Sequence, residues 1–593
     1  MKPLHEWHDR LNAVAADDRF HIETGRGGDC TLRAGDVYFH SRYRPREEAA
    51  RLVDAAQLDP ARPVFVVGLG LGYHVLELQQ RGIKDIAVVE PEPAIARLAL
   101  EAGTIAGEDF LLGIGAPDEI AAADAFRAFA RRQPQVLVHP PTARLSPDFA
   151  EAVVEQLAVN AFAGQRLHIA VVGPMYGGSA PIAGHIERAF RHLGHQTLFV
   201  DNTSAWPLYA AMTASLESKK ASEQLGAMLT QYLSEWSYAR VAEFDPDICL
   251  VMAQAPVRQD FPTRVACHGA ITAFWYVENW RHLPYWREVA PHYDYFFHIQ
   301  PGEFDDMLRE AGCPAHAFVQ TACDPEVHRP VELDPQERHE FQCDLSFAGA
   351  GYHNRVQVFK GLTDYDFKIW GVNWPGPELR HHLCRPEQRF DAALFAKIVA
   401  GSKINLNLHS SATAEGVDAK CDAINPRVFE IAACGGFQVC DPAIGLDRHF
   451  DFETELPIYR DINELRACIE HFLAHPDERA AFAQRARERV LREHTYEHRA
   501  QQMLDLILKR YGKRLLRKGI RVQNTVAEMA ERIAPDTSLG QYLRSLPQDM
   551  LFTYESIKKH IETSNLPLTE TEKIFSYLRE VREFAEAVLD IQR

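Results

Sequence analysis

At about 100–200 residues per domain, the 593-residue chain predicts three to five domains, and 46% apolar content with a mean hydropathy of −0.26 excludes a disordered protein. Lysine and arginine number 64 against 82 aspartates and glutamates, a formal charge of −18 with no basic block to offset it, which excludes nucleic acid as the expected partner. Eleven scattered cysteines without a C-x-x-C pair argue against a disulfide framework or zinc module, and the charged N-terminus and lack of long apolar runs argue against a signal peptide or membrane span, so a cytoplasmic protein is expected.

Short β-branched runs, each followed by a small-residue turn and a stretch of helical period, predict parallel α/β units. The first block opens with a strand at 64–68 (VFVVG), continues through the turn and helix LGLGYHVLELQQRG, and returns to a strand at 85–93. The second begins with LHIAVVG (167–173), turns through PMYGGSAP and enters a helix from Ile182 to near Gly194. The third starts with CDLSFAGAG (343–351) and adds strands at 367–371, 403–409 and 436–442. Between the last two lies a polar segment with two prolines, 330–340, that predicts a linker. Beyond Pro476 strand signals stop; 476–515 predicts two long helices, and 516–593 at least three more, separated by Pro535, Pro547 and the SNLPLT turn at 564–569. The expected division is a Rossmann-like N-terminal domain (1–160), two further Rossmann-like domains (165–332 and 333–505) and a helical appendage (506–593) whose amphipathic helices could pair with a second copy.

In the first block, Gly68, Gly70 and Gly72 lie between strand and helix, and Glu90 closes the next strand. Glycines there let a ligand approach a helix N-terminus, and an acidic residue at the second strand end commonly binds ribose hydroxyls. The G-x-G-x-G spacing fits an S-adenosylmethionine turn better than a dinucleotide fingerprint; the alternative is a strand-helix packing turn that has lost its ligand. FHSRYRPREEAARLV (39–53) followed by VVGLGLGYHVLEL (66–78) resembles the N-terminal region of Maf-type, motility-associated flagellin glycosyltransferases. That resemblance implies a protein acceptor such as flagellin and favours the ligand-free turn.

INPRVFEIAACGGFQVCDP (424–442), preceded by SKINLNLHSS (402–411) and followed by the helical stretch 455–500, resembles the C-terminal domain of the CgeB-type, spore-maturation glycosyltransferases. AFWYVENWRHLPYW (273–286) and QTACDPEVHRP (320–330) look like parts of the matching N-terminal half. The resemblance implies a GT-B arrangement of the second and third blocks, with a nucleotide-diphosphate sugar as donor substrate, a hydroxyl on a protein or surface-glycan precursor as acceptor, and no separate cofactor. A departing diphosphate develops negative charge, so the donor half needs cations and N–H donors. NPRVFEIAACGG can open a helix near Asn425, with Arg427 as a fixed cation. Glu430 matches the second, ribose-binding glutamate of a Glu-x7-Glu motif, whereas the first position is Asp422; an i,i+3 ion pair with Arg427 is the other account of Glu430.

The loop AGAGYHNR offers Gly349 and Gly351 as backbone donors and Arg355 as a cation, or else is a plain strand-to-helix turn. Trp370, and His409 with Ser410, end strands at the same edge and are further donor-binding candidates, although a buried aromatic is the commoner reason for a tryptophan. In the acceptor half, Glu278 and His185 are the candidate general bases; each has a structural alternative, Glu278 as partner of Arg281 and His185 as a helix-surface residue. The D-x-D sequences at 245–247 and 364–366 precede strands, the wrong end for a cleft ligand, and the His381–His382 pair lacks ligand spacing, so no metal is expected. Two readings compete with transfer: a non-catalytic nucleotide-binding scaffold, and a bifunctional chain with a working methyltransferase in front.

Overall fold

The computed structural model describes residues 1–105, 110–162, 165–411, 416–518, 526–548, 550, 552, 554–563, 568–574 and 577. They divide into two units, 1–518 and 519–593.

Three parallel sheets in succession form the first unit. The first has strand order Lys2–Pro3, Leu111–Ile114, Ile86–Glu90, Val64–Val67, Gln135–Val138, parallel except for the antiparallel edge strand Lys2–Pro3. Its central strands are buried along their whole length, which is why they read as continuous apolar runs instead of alternating ones. Ahead of it stands a small antiparallel sheet, Phe20–Thr24, Cys30–Ala34 and Val37–Tyr38, that the sequence reading did not anticipate; its residues are mixed polar and half-buried and carry no apolar run.

The second sheet orders Gln196–Val200, His168–Val172, Ile248–Met252, Ile271–Tyr276, Tyr295–His298 and His316–Phe318, all parallel. In the third, also parallel, the order is Leu383–Cys384, Phe367–Trp370, Cys343–Ala348, Ser402–Asn407, Gln438–Cys440. Helices cover the faces of both, and the carboxyl ends of their strands meet at one cleft, the place where parallel α/β sheets gather ligands. The fold is thus mixed α/β, with two Rossmann-like parallel sheets facing one cleft.

Two expected boundaries shift. Residues 330–340 are only partly a linker: Asp334 caps helix Pro335–Phe341 in a reciprocal box with Glu337, and Lys397 pairs with Glu337, docking the helix onto the third block. The break expected at 505/506 falls inside helix Tyr496–Lys518. This helix returns from the third block to the other two. Tyr496 N–H donates to Cys323 O at 2.9 Å and Arg499 Nε to Gln320 O at 2.9 Å, and further along Tyr511 and Arg514 bond Asp294. At Gly512 an added Cβ would lie 2.5 Å from that of Ala158, so glycine is what lets the helix approach helix Pro147–Phe162.

In the second unit the helices Val526–Arg532, Ser538–Ser545 and Tyr554–Thr563 bury Val526, Ala530, Leu543, Leu546 and Ile557 together. Residues 564–567 of the expected SNLPLT turn lie outside the described residues.

Candidate active site

The cleft between the second and third sheets has a volume of about 870 Å³. On the second-sheet side it is lined by the glycine loop after His168–Val172 with Tyr176, by His185 on helix Ser179–His192, and by Glu278, two residues past strand Ile271–Tyr276. From the third sheet come Gly349, Arg355, Asn405, Asn407, Asn425, Arg427 and Glu430.

His185 is buried, not a helix-surface residue. Its Nδ1 lies 2.9 Å from Asp324 Oδ2, which also accepts from Arg188 Nε at 2.8 Å, and its ring stacks on Tyr496 with centroids 5.3 Å apart. Burial would raise the Asp324 carboxyl, but the bonds from His185 and Arg188 outweigh it and hold the acid well below its ordinary value. With Nδ1 engaged, His185 keeps Nε2 for a ligand. The Asp324 backbone N–H donates to His328 Nδ1 at 3.0 Å, which puts the His328 proton on Nε2, 3.8 Å from Glu430 Oε1. Burial drives the His328 imidazole down to about 4, so it is a neutral donor at pH 7.

Glu430 is almost wholly buried at 5% exposure and takes a hydrogen bond from Arg427. Burial pulls its carboxyl up, yet Arg427, His328 and His185 more than offset this, so it stays ionised below its ordinary value. Arg427 also lies over the Phe395 ring at 4.3 Å from the centroid and is one-third exposed toward the cleft. The expected i,i+3 ion pair and the expected cleft position both hold, for the same two residues.

Arg355 is 8% exposed; its Nε donates to Leu408 O and its Nη1 to Ala350 O, both at 2.9 Å. Burial lowers its guanidinium only to about 10, so it remains a cation, and among the described residues no carboxylate lies within ion-pair distance of it. Glu278 is the opposite case: burial alone raises its carboxyl to about 7. Arg281, its expected partner, instead binds Asp422 at 2.7 Å and Glu303 at 2.9 Å. Asp422 also accepts from Gln300 Nε2 at 2.7 Å, so the first acidic position of the supposed Glu-x7-Glu motif joins the two halves of the cleft.

Several candidates are corrected. Gly349 N–H donates to Trp370 O at 2.9 Å and Gly351 N–H to Val372 O at 3.0 Å, so neither amide is left for a phosphate. Gly351 faces Asn373 and Trp374, where a Cβ would come within 2.4 Å of a carbonyl oxygen; it is a packing glycine. Trp370 is a core residue with Phe341, Cys343 and Ile398, and His409 is sealed behind the cleft with its Nδ1 2.6 Å from Asp441 Oδ1.

The N-terminal turn is filled by the protein itself. Gly70, at φ +51°, would place a Cβ 2.7 Å from His40 Nε2; Gly68, at φ +95°, would place one 2.3 Å from Thr142 Oγ1; and Gly72, at φ +83°, one 2.4 Å from Ile105. His40 Nε2 accepts the Leu71 N–H at 2.8 Å, and His139 stacks on His74 with centroids 4.6 Å apart. Glu90 accepts the Leu69 N–H at 2.8 Å, fully buried, with its carboxyl raised by that burial to about 7. The groups expected to hold a ribose and a ligand backbone are consumed by internal bonds.

Asp324 and His328 join the site although nothing in the QTACDPEVHRP segment marks them as functional. Their i,i+4 spacing in an irregular stretch has no motif; only the fold turns them toward His185 and Glu430.

Residues 354–505 match the family model described as glycosyl transferase-like. The spore protein CgeB of Bacillus subtilis (strain 168) is 22% identical over 263 residues, 41% of this chain and 77% of that protein. An uncharacterized protein of Treponema pallidum (strain Nichols) is 46% identical over 76 residues, 12% of this chain; the match spans only 26% of the Treponema protein. Among solved structures, a sucrose-phosphate synthase from Thermosynechococcus elongatus superposes with a TM-score of 0.41 at 14% identity, covering 57% of this chain and 98% of that one. HepE of Anabaena in complex with UDP-glucose gives 0.39 at 9% identity, covering 57% and 98%. The part of the third block that supplies Arg355, Arg427 and Glu430 to the cleft lies within the match to the glycosyl transferase-like family model, and the chain is similar to the spore protein CgeB.

Proposed function

We propose that the chain transfers a sugar from a nucleotide-diphosphate donor to a hydroxyl, with the donor on the third block and the acceptor on the second. The observation that carries this reading is the pairing of a buried, uncompensated Arg355 and a cleft-facing Arg427 on one side with a half-neutral Glu278 on the other. As the C1–O bond to the diphosphate breaks, the leaving oxygens gain charge that the arginines meet. The acceptor oxygen bonds to C1, and its proton passes to Glu278, which sits near the pH where a general base is most effective. Glu430, held ionised, accepts from ribose hydroxyls. His185, whose Nδ1–H is held by Asp324, presents Nε2 as an acceptor to a hydroxyl of the bound sugar.

A protein acceptor such as flagellin is the finer proposal, supported by the Maf-like pattern of residues 39–78; a surface-glycan precursor is the other class. Eleven cysteines, all free and several buried, suit a reducing compartment such as the cytoplasm, and no described helix is long and apolar enough to cross a membrane. The test is a panel of nucleotide sugars with purified protein, scored for nucleotide release and sugar transfer. Full activity of Arg427→Ala or Glu430→Gln with any donor overturns the site.

A further inference from the structure

Among the described residues, three groups of side chains bring metal-ligating atoms together. One, His409 with Cys440 and Asp441, is buried throughout with no approach from solvent, and His409 Nδ1 is bonded to Asp441 Oδ1. Another, His471, His475 and Glu478, is exposed along one helix-to-helix corner. The remaining group lies outside the cleft and is built by three different elements. His298 ends strand Tyr295–His298, His316 begins strand His316–Phe318, and Asp305 stands in the first turn of helix Glu303–Glu310.

Here both imidazoles address one carboxylate oxygen. His298 Nε2 lies 2.9 Å and His316 Nδ1 3.2 Å from Asp305 Oδ1. Yet neither nitrogen has a hydrogen-bond partner of good geometry, and His298 is fully buried with both ring nitrogens unsatisfied. A buried polar group left in that state is costly and calls for a missing partner. The separations approach the ~3.3 Å that two ligand atoms keep at the corners of a tetrahedron with metal bonds of ~2.05 Å. Asp305 Oδ2 is meanwhile fixed by the Gly302 N–H at 2.7 Å, the kind of outer bond that aims a ligating carboxylate. Side-chain exposures of 24% for Asp305 and 14% for His316 leave an approach from solvent.

We propose that His298, Asp305 and His316 bind one divalent transition-metal ion of the zinc class, with water completing the coordination. Two imidazoles and one carboxylate suit such an ion better than the oxygen-preferring magnesium or calcium. The site's place in the fold gives the ion a structural consequence. The loop 299–302 that it would pin carries Gln300, which bonds Asp422 across the cleft, and the helix it would anchor begins with Glu303, which holds Arg281, itself bonded to Asp422 across the cleft. The ion therefore stiffens the seam of the cleft without touching the reacting atoms.

The test uses the full chain, free of any histidine tag and stripped with EDTA, titrated calorimetrically with Zn²⁺ alone and, in parallel, with Co²⁺ read by its visible absorption. One tight equivalent is expected, with a rise in melting temperature. Asp305→Asn and His316→Ala, both at partly exposed positions, should each weaken Zn²⁺ at least about tenfold, since even outer-shell losses cost that much, while circular dichroism stays that of the parent. The double variant His471→Ala/His475→Ala should keep the tight equivalent. No zinc uptake by the parent chain, undiminished uptake in both Asp305→Asn and His316→Ala, or loss of the tight equivalent in the surface double variant overturns the proposal.

Discussion

Replacing Glu278 by glutamine separates the catalytic from the stabilising consequences of one partly buried carboxylate. The carboxyl moves from its ordinary 4.5 to about 7 because burial penalises its charge. At 1.36 kcal/mol per pH unit, that displacement corresponds to about 3 kcal/mol of folding free energy given up when the group is ionised. The sign follows from proton counts. Between pH 4.5 and 7 the folded state binds the proton and the unfolded state has lost it, so stability falls as pH rises through this window and levels off above 7. Glu278→Gln removes the titration. Its melting temperature should exceed that of the parent at pH 8, and the difference should shrink steadily and be lost by pH 4.5. Activity moves the other way. A general base contributes about 10²–10⁴-fold to rate, so sugar transfer at pH 8 should drop by that factor. In the parent, kcat/KM should fall about tenfold per pH unit below 7, as the ionised fraction does. Differential scanning fluorimetry across pH and a coupled nucleotide-release assay read the two arms. A melting-temperature difference independent of pH would refute the burial argument, and a variant that is more stable at pH 8 but fully active would remove Glu278 from the chemistry while leaving the electrostatics intact.

Asp324→Asn should preserve the fold but leave His185 without its charged orienting partner, raising KM for the donor up to about tenfold, the worth of one hydrogen bond, with kcat less affected, as checked by steady-state kinetics. Arg281→Ala should cost only about 0.2–1 kcal/mol of stability, because its ion pairs are partly exposed; the sensitive readout is a raised KM for donor as the two cleft halves lose a bond. Gly70→Ala meets His40 at a left-handed backbone position and should lose about 1–3 kcal/mol to strain alone, more with the clash, measured by thermal melt. Calorimetry of the parent with S-adenosylmethionine should give no heat, since His40, His139 and Thr142 occupy the turn; measurable binding would show that this packing opens.

The central parallel strands of the three blocks are legible in the sequence because burial on both faces writes itself as local apolar runs, whereas outer strands such as Leu111–Ile114, Gln196–Val200 and His316–Phe318 are half-buried and leave no such run. The same local logic finds Arg427 and Glu430, three residues apart on one helix. It fails where function depends on what faces a residue. Gly349 and Gly351 look like free phosphate donors until strand Phe367–Trp370 and its following loop take their N–H groups. Trp370 ends its strand as expected and His409 falls two residues past the end of strand Ser402–Asn407, and both are buried in the protein, since the sequence does not say which side of a strand end the cleft takes.

Composition and pattern by themselves determined an acidic α/β chain with a helical end and an Arg427–Glu430 pair on one helix. Tertiary structure alone decided that His185, Asp324, His328 and Glu430, spread over 245 positions, meet in one buried chain of contacts, and that the N-terminal glycine turn is closed by its own histidines. The physical reason is common to both. Backbone conformation and apolar burial are encoded by near neighbours in the chain, whereas the ionisation state of a carboxylate and the vacancy of an N–H group are set by whichever distant residues packing brings within a few ångströms.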